Sequence, residues 1–162
     1  MAGTPRAPRV TLGVGSPVPE FDLPASDGRR YRLSDCRGRA VVVAWFPKAF
    51  TPGCTRECTS LGLAARALES LDARVFAASL DDVETNRAFA QSTGLTLPIL
   101  CDVGGTVARA YGVLGPLGLP DRWTYYIGAD GCLLGVDRGV QSDSHGSDVA
   151  AALAHFGVPR RA

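Results

Sequence analysis

Cys54 is the residue in this chain best placed to do chemistry. The run WFPKAFTPGCTRECTSL (45–61) carries an apolar segment into Pro47, Pro52 and Gly53, then a cysteine, and only then a helical pattern. A thiol is a useful nucleophile as its thiolate. The first turn of a helix favours that anion through backbone N–H groups that lack intrahelical partners and through the positive end of the macrodipole. Thr51, three residues before Cys54, can turn its hydroxyl into the same pocket, and Pro47 can shield it from water. The only histidines are His145 and His155, far away in sequence and expected to face solvent, so a Cys-His dyad has little support. A thiolate with no separate base suits an oxidant such as a peroxide.

The elements that must hold this arrangement are legible in the apolar patterning. RAVVVAWF (39–46) is a continuous β-branched and aromatic run, the mark of a strand covered on both faces. From Thr55 to Leu71 the residues Leu61, Ala64, Ala65, Leu68 and Leu71 recur at helical spacing. ARVFAASL (73–80) reads as a second buried strand, and VETNRAFAQSTG (83–94) as a helix closed by Gly94. LPIL (97–100) is a short strand, and 105–113 a short helix. Two strands flank the turn Ala129-Asp130-Gly131, and 147–157 is a last amphipathic helix. Residues 12–33, broken by prolines and Asp27-Gly28, suit extended segments and a hairpin. The alternation predicts an α/β domain with a mixed central sheet flanked by helices. Residues 1–11 are expected to be a flexible tail and 12–162 one domain.

Composition narrows the function classes. The 162 residues carry 17 basic and 16 acidic side chains, a net charge of +1, so no electrostatic footprint for nucleic acid or an anionic membrane is expected. No apolar stretch near the N-terminus suits a signal peptide or membrane helix, and a cytoplasmic protein is the expectation. Five cysteines, Cys36, Cys54, Cys58, Cys101 and Cys132, argue against a structural disulfide framework. Cys54 and Cys58 have no second pair at zinc-site spacing. Cys36, Cys101 and Cys132 are expected to be packing residues, and Trp45 a core aromatic that could help shape the pocket.

PKAFTPGC (47–54) matches P-x-x-x-T-x-x-C, and the chain here resembles the peroxiredoxins (AhpC/TSA superfamily), most of all the bacterioferritin-comigratory or PrxQ type with its T-P-G-C-T core. GSPVPEFDLPASDG, VARAYGV and RWTYYIGADG are similar to further landmarks of that family. The resemblance implies a thioredoxin-like fold and a thiol-dependent peroxidase acting on hydrogen peroxide and small organic hydroperoxides. It makes Cys54 the peroxidatic cysteine, oxidised to a sulfenic acid. Thr51 would hydrogen-bond the thiolate and the peroxide, Pro47 would cover the site, and Arg122 would favour the thiolate and polarise the O–O bond. It implies no metal, haem or flavin. Thioredoxin, glutaredoxin or a low-molecular-weight thiol would be the reductant, and the protein a monomer or homodimer.

The match departs from the family at the recycling step. Relatives that resolve within the same helix carry the second cysteine five residues after the first, where this chain has Thr59. Cys58 is one residue earlier and is the candidate resolving cysteine, with Cys101 the runner-up. Glu57 sits where the family has Gln or Glu, and Gly62 where it often has arginine. Cβ atoms one helical turn apart lie about 5–6 Å from each other, beyond the roughly 3.5–4.5 Å of a disulfide, so a Cys54–Cys58 bond requires the turn to unwind. Two other functions fit the same sequence: a redox-sensing or binding protein on this fold, and a fold relative recruited to small-metabolite tailoring.

Overall fold

The VVV run becomes the centre of the sheet because its side chains are apolar on both faces. A computed structural model describes residues 9–161, and in it β3 (Ala40–Trp45) is buried at every position. Before it come a short hairpin, β1 (Asp22–Pro24) and β2 (Arg30–Arg32), and a 3-10 turn at Leu33–Cys36. After it follow α1 (Pro52–Glu69), β4 (Ala73–Ser79), α2 (Val83–Thr93), β5 (Ile99–Cys101), α3 (Thr106–Tyr111), β6 (Thr124–Ile127), β7 (Leu133–Asp137) and α4 (His145–His155). The sheet order is β5-β4-β3-β6-β7. β3, β4 and β5 run parallel through helical crossovers, while β6 and β7 are antiparallel, which gives the mixed sheet expected of the sequence.

Alternate residues of β3 feed two cores. Val42, Ala44 and Phe46 pack with Cys58, Leu61 and Leu68 of α1, Phe89 of α2, and Val149 and Leu153 of α4. Val41, Val43 and Trp45 pack on the other face with Phe21, Phe76, Ala108 and Tyr111. Trp45 therefore points away from Cys54, into the α3 face, and does not shape that pocket.

Two glycines set how closely the helices approach. A Cβ on Gly62 would lie 2.9 Å from the Gly94 carbonyl oxygen that follows α2, and one on Gly146 would lie 2.3 Å from the Ser60 carbonyl oxygen. Both contacts are closer than any side chain tolerates, so an arginine at position 62 would force α1 and the end of α2 apart. Gly94, with φ of 70°, closes α2 in the left-handed conformation expected from its position.

Of the expected tail, residues 1–8 lie outside the described residues. Arg9, assigned to that tail, is instead docked: it donates to the Gly112 carbonyl at 2.9 Å and pairs with Asp121 at 2.7 Å. The 112–120 stretch folds back on itself through a bridge between Leu114 and Pro120. Among the described residues no helix is long and apolar enough to cross a membrane.

Candidate active site

The chain leaves β3 at Trp45 and reaches α1 through a six-residue turn that is fixed at several points. Phe46 N–H donates to the Ala78 carbonyl at 2.9 Å, and Ala49 N–H to Asp81 Oδ2 at 2.9 Å. Phe50 takes a left-handed φ of 65° and lays its exposed ring edge-on against Phe89. A bulky residue in that conformation is uncommon, and such strain gathers at functional sites. Pro52 occupies the first turn of α1, where the missing N–H costs nothing.

Cys54 falls in that first turn and is only 1% exposed. Arg122 Nη2 donates to its sulfur at 3.4 Å, while Nη1 of the same guanidinium donates to Glu57 Oε1 at 3.2 Å. The arginine arrives from the segment that leads into β6, the strand beside β3. Ala44 of β3 pairs with Thr124 of β6, and Trp45 N–H donates to the Trp123 carbonyl at 3.0 Å. Arg122, two residues before Thr124, is thereby delivered to the β3–α1 junction. Burial opposes its charge, but Glu57 and Cys54 more than offset that and hold the guanidinium above its ordinary value.

Thr51 is the cap residue of α1, half-buried, and its hydroxyl donates to the Lys48 carbonyl at 2.7 Å rather than to Cys54. Its oxygen lone pairs remain available to accept. Pro47 is half-buried at the start of the same turn. The structure thus joins Arg122 to the Cys54 sulfur, with Thr51 and Pro47 in the turn that leads into this end of α1. Cys58 is on the same helix face, wholly buried, and burial together with the charges of Glu57 and Cys54 pushes its thiol well up. Cys101 is held apart on the edge strand, where its sulfur accepts from Asn86 Nδ2 at 3.3 Å. All five cysteines are unbridged, and Cys132 alone is not fully buried.

Three residues here escaped the sequence reading as parts of the site. Glu57 has no exposed surface, and its Oε2 finds no partner among the described residues. Burial raises its carboxyl to about 7, against the pull of Arg122. The signal was present, because residue 57 lies in the same buried stripe as Cys54, Cys58, Leu61, Ala65 and Leu68. Gly53 is the second: a Cβ there would lie 2.8 Å from Arg122 Nη2, so the guanidinium reaches the thiol over a bare backbone. The third is His145, expected in solvent but completely buried. Its Nε2 pairs with the Thr124 hydroxyl at 2.9 Å and its Nδ1 has no partner among the described residues. Burial drives the imidazole down to about 4, against the opposing fields of Asp137 and Asp148. Nothing in the local sequence marks it; the packing of α4 on α1 places it. His155 is exposed, as expected.

The AhpC/TSA family profile matches residues 14–135. The chain belongs to the AhpC/TSA family. A putative peroxiredoxin bcp of Coxiella burnetii is 30% identical over 151 residues, which cover 89% of this chain and 100% of that protein. The chloroplastic peroxiredoxin Q of Gentiana triflora is 34% identical over 119 residues, 72% of this chain but 55% of the plant protein. The chain therefore spans about half the length of that plastid relative. Among solved structures, peroxidoxin BcpB from Mycobacterium tuberculosis superposes with a TM-score of 0.79 at 32% identity, covering 90% of this chain and 98% of its own. A PrxQ mutant from Xylella fastidiosa, at 23% identity and a TM-score of 0.84, covers 91% and 99% and shares the fold. With these relatives the chain is a peroxiredoxin, a thiol-dependent peroxidase on a thioredoxin-like scaffold.

Proposed function

We propose that Cys54 is the peroxidatic residue and that the chain reduces hydrogen peroxide and small organic hydroperoxides. The observation that carries this reading is the Arg122 fork, which joins the Cys54 sulfur to Glu57 at the start of α1. In the reaction the Cys54 thiolate attacks the terminal peroxide oxygen. The S–O bond forms as the O–O bond breaks, the departing oxygen takes a proton and leaves as water or alcohol, and Cys54 becomes a sulfenic acid. Arg122 donates to the Cys54 sulfur and faces the charge that develops on the departing oxygen. Thr51 accepts a hydrogen bond from the peroxide and orients it, and Pro47 covers the pocket. Because Cys54 as a residue is only 1% exposed, it favours substrates whose terminal oxygen is unhindered.

Cys58 then condenses with the sulfenic acid, forming the Cys54–Cys58 disulfide and releasing water. Two electrons from thioredoxin, glutaredoxin or a low-molecular-weight thiol reopen the bond. Its place one turn beyond Cys54 supports this assignment over Cys101, which is anchored to Asn86 and to the Ile99 carbonyl. Five unbridged cysteines suit a reducing, cytoplasmic setting.

Replacing Cys54 with Ser tests the assignment. Turnover of peroxide with a thiol reductant should fall at least about 1,000-fold while the circular dichroism spectrum is unchanged, because an alcohol does not ionise near neutral pH. A Cys54→Ser protein that turned over at the wild-type rate would remove Cys54 from the mechanism.

A further inference from the structure

The net charge of +1 conceals an uneven distribution. A cavity of about 180 Å³ opens beside β2, the 3-10 turn and the first residues of β3 and β4. Five of its eight lining residues are arginines: Arg30, Arg32, Arg37, Arg39 and Arg74. Asp35 is the one acid in its wall. Arg30 and Arg32 share Asp22 at 2.6 and 3.2 Å, and Arg39 pairs with Asp72 at 3.1 Å. Among the described residues Arg37 and Arg74 have no carboxylate within ion-pair distance. Arg74 is fixed by packing instead, its guanidinium lying 5.4 Å from the Tyr31 ring and 5.8 Å from that of Phe76. Stacking holds a guanidinium by its face and leaves the edge donors free for an anion.

The cavity is remote from the thiol. Arg39 precedes β3 and Arg74 is the second residue of β4, whereas Cys54 follows the other end of β3, six residues of strand or about 20 Å away. Guanidinium groups gathered this way repel one another, and an anion of two or more charges relieves that repulsion while taking bidentate hydrogen bonds. A cavity of this size, about 180 Å³, has room for an anion larger than a single orthophosphate. A second cavity, about 260 Å³, shares Tyr31, Arg39 and Arg74 and adds Arg29 and Arg161, but Asp27 and Glu69 also stand in its wall, so the unbalanced positive charge belongs to the first.

We propose that this arginine-lined cavity binds a small polyphosphate anion, either free pyrophosphate or the phosphate chain of a nucleotide. The test is isothermal titration calorimetry of the full chain with pyrophosphate, ADP and orthophosphate at one fixed ionic strength. Pyrophosphate should bind one to one, and Arg37→Gln and Arg74→Gln should each weaken it tenfold or more, with peroxide turnover unchanged. Arg66→Gln, which removes an exposed charge from α1, should leave the affinity intact. Arg37 is exposed, so its variant keeps the test sound if Arg74→Gln fails to fold. Tighter binding of ADP would assign the site to nucleotides, and equal binding to the phosphate chain alone. The proposal falls if Arg66→Gln weakens binding as much as Arg37→Gln, or if orthophosphate binds as tightly as pyrophosphate.

Discussion

At Gly53 a single hydrogen occupies the space through which Arg122 reaches the thiol. An alanine there would put its Cβ 2.8 Å from Nη2, and the guanidinium would tilt that arm off the sulfur at little cost in stability while Nη1 keeps its bond to Glu57. Gly53→Ala should therefore fold with a stability change under about 1 kcal/mol, since alanine is the better helix former. Peroxide reduction should slow by about tenfold or more, through loss of an aimed cationic donor. Stopped-flow peroxide reduction and urea unfolding would separate the two effects; equal rates would mean that the Arg122 contact is dispensable. Arg122→Met probes the other partner. It strands a carboxyl that is fully buried and has one ion-pair partner among the described residues, and breaking such a pair costs about 3 kcal/mol. The loss should appear above pH 7, where Glu57 is ionised, and shrink at pH 5, where the carboxyl keeps its proton. Urea midpoints at the two pH values would show it, and a loss independent of pH would assign the cost to packing alone.

The element that matters is the start of α1. Its first two turns hold Cys54, Glu57 and Cys58, all buried, and the intact turn between the two cysteines keeps them too far apart to bond. If Cys58 resolves the sulfenic acid, oxidation must unwind this turn, and local opening of a helix end is among the least costly motions a protein has. Wild-type protein treated with one equivalent of peroxide should lose about two mass units, the two hydrogens of a disulfide. It should also show faster amide exchange at 52–58. Cys58→Ala should react once and then accumulate sulfinic acid, without the change in exchange. A peptide map joining Cys54 to Cys101 would transfer the resolving role to β5.

Across the whole molecule, two buried groups set opposing pH dependences. Glu57 is raised from an ordinary 4.5 to about 7, so between those values the folded state holds a proton that the unfolded chain has released. Its contribution to stability therefore falls as pH climbs through that window. His145 is lowered from 6.5 to about 4. Between those values the unfolded chain takes up a proton that the folded state refuses, so its contribution rises with pH. Where the windows overlap, from about 4.5 to 6.5, the two slopes oppose each other. Relative to wild type, Glu57→Gln should make stability climb more steeply with pH there, and His145→Gln should tilt it the other way. Urea midpoints from pH 4 to 8 measure both, and variants that merely parallel wild type would show that neither group is perturbed by folding.

The sequence by itself determined the scaffold and the motif that singles out Cys54. The VVV run, the helical stripe from Leu61 to Leu68 and the turn at Asp130-Gly131 carry short-range signals, because strand, helix and turn each impose a period or a backbone angle on neighbouring residues. The P-x-x-x-T-x-x-C spacing likewise is local to one strand-turn-helix unit. What only the tertiary structure decided depends on residues far apart in the chain. Glu57 lies on the buried stripe of α1, but its ion pair became visible only once Arg122, 65 residues later, was seen to reach it. His145 is buried because α4 crosses α1 closely enough for Gly146 to touch Ser60, a contact that no pattern around residue 145 announces. Nothing local links Arg37 to Arg74, 37 residues later; the β3–β4 pairing and the β1–β2 hairpin gather them around one cavity. Local patterning fixes which elements form; desolvation and charge pairing, which tune a site, arise only when distant elements meet.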